Sequence, residues 1–126
     1  MSAKYSLVQR GDPRDPSAPK KYYAQAKTTG EANLKTLSRQ IEEITALSGP
    51  DILAAVSALL QVSMHQFEEG KMVRFDGFGS FKVEFSSEGF EKAEKFNPNT
   101  IKNVKIVFRP AEDLRNMLST LKFSAE

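Results

Sequence analysis

The chain has 126 residues, a net charge of +2, no cysteine and a single histidine. Its length suits one compact domain, and 40% hydrophobic with 27% charged residues argues against both a disordered and a membrane-spanning chain. Without Cys there is no disulfide, thiolate nucleophile or cysteine metal site, and His65 alone cannot build a two-histidine centre, so no catalytic residue, metal ligand or cofactor is assigned.

The N-terminus, Met1-Ser2-Ala3-Lys4-Tyr5, lacks the apolar stretch of a secretory signal. Residues 4–10 are β-prone and run into Gly11-Asp12-Pro13-Arg14-Asp15-Pro16-Ser17-Ala18-Pro19, whose three prolines exclude helix and central strand. Lys20 to Thr28 reads as a second strand, broken at Thr29-Gly30. Residues 1–35 carry seven cations against three anions, a net +4, so the front of the chain is basic while the remainder is near neutral. Such an end could meet a polyanion, or could be a solvated loop.

Leu34, Leu37, Ile41, Ile44 and Leu47 form one apolar stripe and predict a helix of about four turns. Ser48-Gly49-Pro50-Asp51 ends it and starts another, with Ser48 as cap, Pro50 in the first turn and Asp51 in the capping-box position. The second helix is apolar on more than one side: Ile52, Val56, Leu59, Leu60 and Phe67, but also Leu53, Ala54, Ala55, Ala58 and Val62. It closes at Gly70. A helix so broadly apolar requires cover on several sides, from its own domain or from a partner subunit.

Lys71 to Phe75 predicts a strand, Asp76-Gly77 a turn, and Phe78 to Phe85 the next strand. Residues 86–100 are polar. Ile101 to Phe108 returns to strand, and Pro110 suits the first position of a last helix with Leu114, Leu118 and Leu121 as its stripe and Met117 beside it. His65 reads as structural, and the Glu42-Glu43 and Glu68-Glu69 pairs point apart on their helices, so neither forms a catalytic dyad. The body is helix–helix–three strands–helix.

From Thr36 to Leu121 this order and its motifs resemble the HU and integration host factor family of bacterial histone-like proteins. The residues that carry the resemblance are Asp76-Gly77-Phe78-Gly79-Ser80-Phe81 after Gly70-Lys71-Met72-Val73, then Phe108-Arg109-Pro110-Ala111-Glu112-Asp113-Leu114, and the helix junction Leu47-Ser48-Gly49-Pro50-Asp51. The resemblance implies an α+β fold with a two-helix base, a three-stranded sheet extended into a long β-hairpin arm, and a C-terminal helix, in an intertwined homodimer. An extra N-terminal β segment precedes it. The expected division is a basic strand–loop–strand extension over 1–33 and an HU-like domain over 34–126, its arm at about 82–107. Phe78, Phe81 and Phe108 match the family's core aromatics and are assigned to the dimer core with Val56 and Leu59. Gly77 and Gly79 are expected to serve backbone geometry at the base of the arm.

The implied function is non-enzymatic, sequence-tolerant binding of double-stranded DNA by a cytoplasmic, nucleoid-associated homodimer, with no membrane and no small-molecule substrate. Phosphate contacts fall on Lys82, Lys92, Lys95, Lys102, Lys105 and Arg109 of the arm, and on Lys20 and Lys21 beside Tyr22-Tyr23 of the extension. Pro98, in Asn97-Pro98-Asn99, is either the wedge that kinks the duplex in this family or an ordinary turn proline. The alternative is an HU-like dimer that serves protein interaction with weak or no DNA binding. It draws on Glu84, Glu88, Glu91 and Glu94, which nearly cancel the arm's lysines, and on Phe85, Phe90 and Phe96, which make the arm apolar.

Overall fold

A computed structural model describes residues 1–126. The elements in chain order are β1 (Ala3–Arg10), β2 (Lys21–Lys27), α1 (Leu34–Ile44), α2 (Gly49–Glu68), β3 (Val73–Phe75), β4 (Gly79–Ser86), β5 (Lys102–Pro110), α3 (Glu112–Ser119) and β6 (Phe123–Ala125). They make a mixed α+β fold with three helices and two three-stranded sheets, ordered β2-β1-β6 and β3-β4-β5. This arrangement is compatible with an HU-like fold.

Local chemistry accounts for most boundaries. The Asn33 side chain accepts from Thr36 N at 3.0 Å and caps α1. That helix stops at Ile44, one turn short of the predicted stripe. There the Thr45 hydroxyl donates back to Ile41 O at 2.8 Å and accepts from Leu47 N at 3.3 Å, competing with the helical ladder. Ser48 caps α2 by accepting from Asp51 N at 3.3 Å, with Pro50 in the first turn, as the spacing predicts. At the other end Gly70 adopts φ 81°, Lys71 N donates to Gln66 O at 3.0 Å, and Gly70 N to Phe67 O at 2.9 Å. That pair of bonds is a Schellman termination, which favours glycine because of its left-handed backbone.

The arm sheet is antiparallel. Phe81 pairs with Val73 on one side and Phe108 on the other, Ser80 with Arg74 and Arg109, and Glu84 with Lys105. Period-two alternation therefore collects Val73, Phe75, Phe81, Val83, Ile106 and Phe108 on one face. The ring centroids of Phe81 and Phe108 lie 4.7 Å apart, and those of Phe75 and Phe81 5.5 Å. Leu60, Ser63 and Phe67 of α2 border Val73, Phe75 and Phe81 around a gap of about 100 Å³, so this face looks onto the long helix.

Three expectations need correction. Pro110 is not the first residue of the last helix; it closes β5 opposite Gly79, and Ala111 is the N-cap of α3 with no side-chain cap bond. The arm is not a β-hairpin throughout 82–107, because pairing ends at Ser86 with Lys102. Beyond it residues 87–101 fold as an irregular tip with 3-10 turns at Ala93–Lys95 and Pro98–Thr100. Finally, Leu121 lies beyond α3, and the residues after it form β6. That strand runs parallel to β1, with Ala3 opposite Phe123, so the two ends of the chain share one sheet.

Very little of this chain is shielded from water. Ile52, at 3% exposure, is the one apolar side chain that is buried, with Ser38 and Ser63 the buried polar ones. Leu53, Leu59, Leu60, Val62 and Met64 of α2 are exposed, as are Phe78, Phe108, Met117 and Leu118. The accessible surface is 10879 Å², against about 6,700 Å² expected of a folded monomer of this mass.

Gly79 sits where the Phe108 ring crosses the sheet. A Cβ there would collide with two ring atoms of Phe108 and lie 2.7 Å from Arg109 O. Gly79→Ala should therefore cost about 1–3 kcal/mol, the usual penalty of overpacking. In urea unfolding the midpoint should fall with the slope unchanged.

Candidate nucleic-acid interface

The opposite face of the arm sheet carries the charges. Arg74, Ser80 and Arg109 lie in one row across the three strands. Lys82 and Val107 form the next row, then Glu84 and Lys105. Strands are spaced about 4.8 Å apart, so the two arginines of the first row stand about 10 Å from each other at the backbone. Arg74, Lys82, Lys105 and Arg109 are exposed, and Glu84 is half-buried. Met72, Arg74, Ser80, Lys82, Glu84 and Arg109 border a shallow concavity of about 250 Å³ on this face, with Val107 at its floor.

None of these four cations is in an ion pair. The two ion pairs of the chain, His65–Glu68 at 3.8 Å and Lys71–Glu69 at 3.5 Å, lie elsewhere on the surface. Glu84 is thus the one acid among four free cations. No cluster of acidic or imidazole side chains converges to hold a metal ion, and no helix is long and apolar enough to cross a membrane.

The expected contact residues separate into groups. Lys82, Lys105 and Arg109 come together on the sheet face, and Lys102 stands opposite Ser86 where the ladder ends. Lys92 and Lys95 lie in the tip, among Glu88, Glu91 and Glu94. Pro98 opens the second 3-10 turn, four positions before β5, with Asn97 Oδ1 accepting from Asn99 N at 3.0 Å. Lys20 belongs to the loop before β2, and Lys21 is the first residue of that strand. Among the core residues, Phe81 and Phe108 lie on the apolar face and Phe78 packs on Phe108 at 5.8 Å from the turn. On α2 Val56 is half-buried and Leu59 exposed.

Arg74 was missed by the sequence reading. Its signal was present: Val73 and Phe75 are apolar, so alternation puts Arg74 on the other side of β3. The acids were misjudged for a similar reason. Counted along the chain, Glu88, Glu91 and Glu94 cancel the lysines, but the fold carries all three into the tip and away from the sheet. There the Phe90 and Phe96 rings meet edge to face at 5.6 Å and give the irregular segment a small apolar centre of its own.

A bulge divides sheet from tip. The register shifts by one between Glu84 and Ser86, and Asn103 on the facing strand adopts φ 57°. The Asn103 side chain donates to Ser86 Oγ at 2.9 Å, which fixes the bulge across the ladder. Left-handed backbone costs a residue with a Cβ about 1–2 kcal/mol unless, as for Asn, local hydrogen bonding offsets it. Asn103→Ala should lower stability by about 1–2 kcal/mol, whereas Asn103→Gly should stay within about 0.5 kcal/mol of the parent, as thermal melts of the two variants would show.

No curated protein matches this sequence. A similar solved structure is a candidate bacterial DNA-binding protein from Bacteroides vulgatus ATCC 8482, with a TM-score of 0.68 at 14% identity. The similarity covers 98% of this chain but 47% of that one, so this chain spans about half the length of its neighbour. At that identity the likeness speaks for the fold alone. The HU-HIG family model, described as an HU domain fused to wHTH, Ig, or glycine-rich motif, matches residues 1–125. On that match over nearly its whole length, the chain belongs to the HU-HIG family.

Proposed function

We propose that two copies of this chain bind duplex DNA through phosphate contacts, without reading sequence, as an architectural protein of the nucleoid. The observation that carries the reading is the row-by-row placement of Arg74, Lys82, Lys105 and Arg109 on the open face of the arm sheet, unpaired and with Glu84 the one acid among them. Free cations on a flat, solvated face neutralise phosphates and release counterions, an interaction indifferent to base identity. Membership of an HU family and a neighbour described as a candidate DNA-binding protein support it. Lys102 continues the face toward the tip. Kinking by a Pro98 wedge is not part of the proposal.

The second copy answers the exposure of α2 and of the phenylalanine face. The surplus of about 4,000 Å² on each chain, counted over two copies, exceeds the roughly 2,000 Å² of total surface at which obligate dimer interfaces begin. On this proposal Phe78, Phe81, Phe108, Val56 and Leu59 belong to that interface. Sedimentation should find a dimer at micromolar concentration, and a stable, well-folded monomer would end the dimer proposal.

The interaction-module alternative keeps one specific support, the acidic, phenylalanine-bearing tip. Titration of random-sequence duplex between about 50 and 200 mM salt separates the two. DNA binding predicts a negative log–log slope, and Arg74→Gln with Lys82→Gln and Arg109→Gln should make it less negative by about 3 for each chain engaged. Absence of any complex at the lower salt would favour the protein-interaction reading.

A further inference from the structure

The β2-β1-β6 sheet also sorts its side chains between two faces. Register places Tyr5 opposite Ala26, Leu7 opposite Ala24 and Ala3 opposite Phe123, which makes one face largely apolar, with Gln9 opposite Tyr22 at its end. The other face holds Lys4 opposite Lys27, Ser6 opposite Gln25, Val8 opposite Tyr23 and Arg10 opposite Lys21. Four cations and no acid occupy that face.

Two of its cross-strand pairs are therefore like-charged, Lys4 with Lys27 at one end and Arg10 with Lys21 at the other. Like charges directly opposite each other destabilise a ladder, and neither pair is relieved by an ion pair. Lys4 Nζ donates to Ser124 Oγ at 2.8 Å, which orients it without neutralising it. The nearest acids in sequence, Asp12 and Asp15, lie in the connecting loop and keep their charge, but neither forms an ion pair with these cations. Asp12 Oδ1 accepts from Arg14 N at 2.8 Å, while Asp15 Oδ1 accepts from the Ser17 hydroxyl at 2.6 Å and from Ser17 N at 3.1 Å. At the Arg10–Lys21 end, Arg10, Gly11, Asp12, Pro13, Lys21 and Tyr23 border a concavity of about 350 Å³. Repulsion built into both ends of a regular ladder opposes folding of the free chain and is lifted when an anion bridges the pairs. Local features that oppose the fold in this way mark sites of function.

We propose that this face of the β2-β1-β6 sheet is a second duplex-binding surface, in which Arg10, Lys21 and Lys27 contact DNA phosphates independently of the arm sheet. The inference rests on the DNA-binding reading and extends it to a separate sheet. Lys4 and Arg10 are six residues apart on β1, about 20 Å along an extended strand. That length matches the axial rise of about six base pairs, enough to touch several phosphates of one strand. Tyr23, between the two cation pairs, presents an aromatic edge and hydroxyl to the same backbone. Lys20 precedes the strand and lies outside its pairing.

The test uses the full chain. Arg10→Gln with Lys21→Gln and Lys27→Gln removes three contacts and both like-charge pairs, leaving Lys4 with its Ser124 bond. The log–log salt slope for random duplex should become less negative by about 3 per chain, with residual binding by the arm sheet. The same variant should melt no lower than the parent, because repulsion has been removed. The charge-conserving variant, Arg10→Lys, should keep the parental slope. In the unsubstituted protein, duplex should protect Lys21 and Lys27 from acylation, a measurement that needs no variant to fold. A parental slope in the triple variant, with parental binding intact, would overturn the inference and leave the DNA reading standing. Protection of these lysines by polyglutamate but not by duplex would overturn it in favour of an acidic polypeptide. Failure of the parent to bind duplex at all would remove both.

Discussion

Side chains alternate across a β-strand with a period of two, and this single geometric constraint decides what each sheet of the molecule can do. In β3-β4-β5 it delivers Phe75 and Phe81 to α2, sets Phe108 beside Phe81 on the same face, and sends Arg74, Lys82, Lys105 and Arg109 to water. A slip of one residue would exchange the two faces, burying cations and exposing the rings. Register is therefore as consequential as composition here, and the chain fixes it at both ends of the hairpin. At the base the Phe108 ring fills the space that a side chain on Gly79 would occupy. At the far end the Asn103 bulge absorbs one residue, so that the shift happens beyond the charged rows and not within them.

The apolar side of that division leaves a physical demand outstanding. Ile52 alone among the apolar side chains is buried, and α2 keeps Leu59, Leu60, Val62 and Met64 in water. The low average amphipathicity of α2 was readable as a requirement for cover on several sides, yet α1 and the sheet supply cover on part of it. Apolar surface of this extent is stabilising only once removed from water, at about 25 cal/mol for each Å².

Much of this was legible in the sequence, and the failures have identifiable causes. Helix existence, the Ser48 cap, the Gly70 stop and the order of the body follow from local rules that the fold respects. The Asn33 cap passed unnoticed because it precedes a stripe whose first apolar residue drew the boundary. Pro110 fits an N1 position by local preference, but β5 extends to pair it with Gly79, and tertiary pairing overrode the preference. Strand β6 has three residues, too few for a periodic signal, and exists because β1 offers it a partner from the other end of the chain. The candidate site suffered most from reading charge along the chain. Glu88, Glu91 and Glu94 are close to the arm lysines in sequence, but the bulge and the Phe90–Phe96 contact set them apart in a tip of their own.

This segregation also bears on how an acidic tip can coexist with the proposed DNA-binding face. Surface charges interact weakly beyond a Debye length, about 8 Å at physiological salt. The charged rows at Arg74, Ser80 and Arg109 lie six residues along β4 from Ser86, about 20 Å in an extended strand. At that distance the tip's carboxylates are largely screened from phosphates held over the base of the sheet, whereas Lys102, next to the bulge, remains within their reach. The sheet face therefore grades from strongly cationic at Arg74 and Arg109 to nearly neutral at the tip. A duplex laid on it would be held most firmly over the body of the molecule. On the proposed reading such an arm makes its contacts near the helices and, unlike a uniformly basic ribbon, does not need to wrap the DNA.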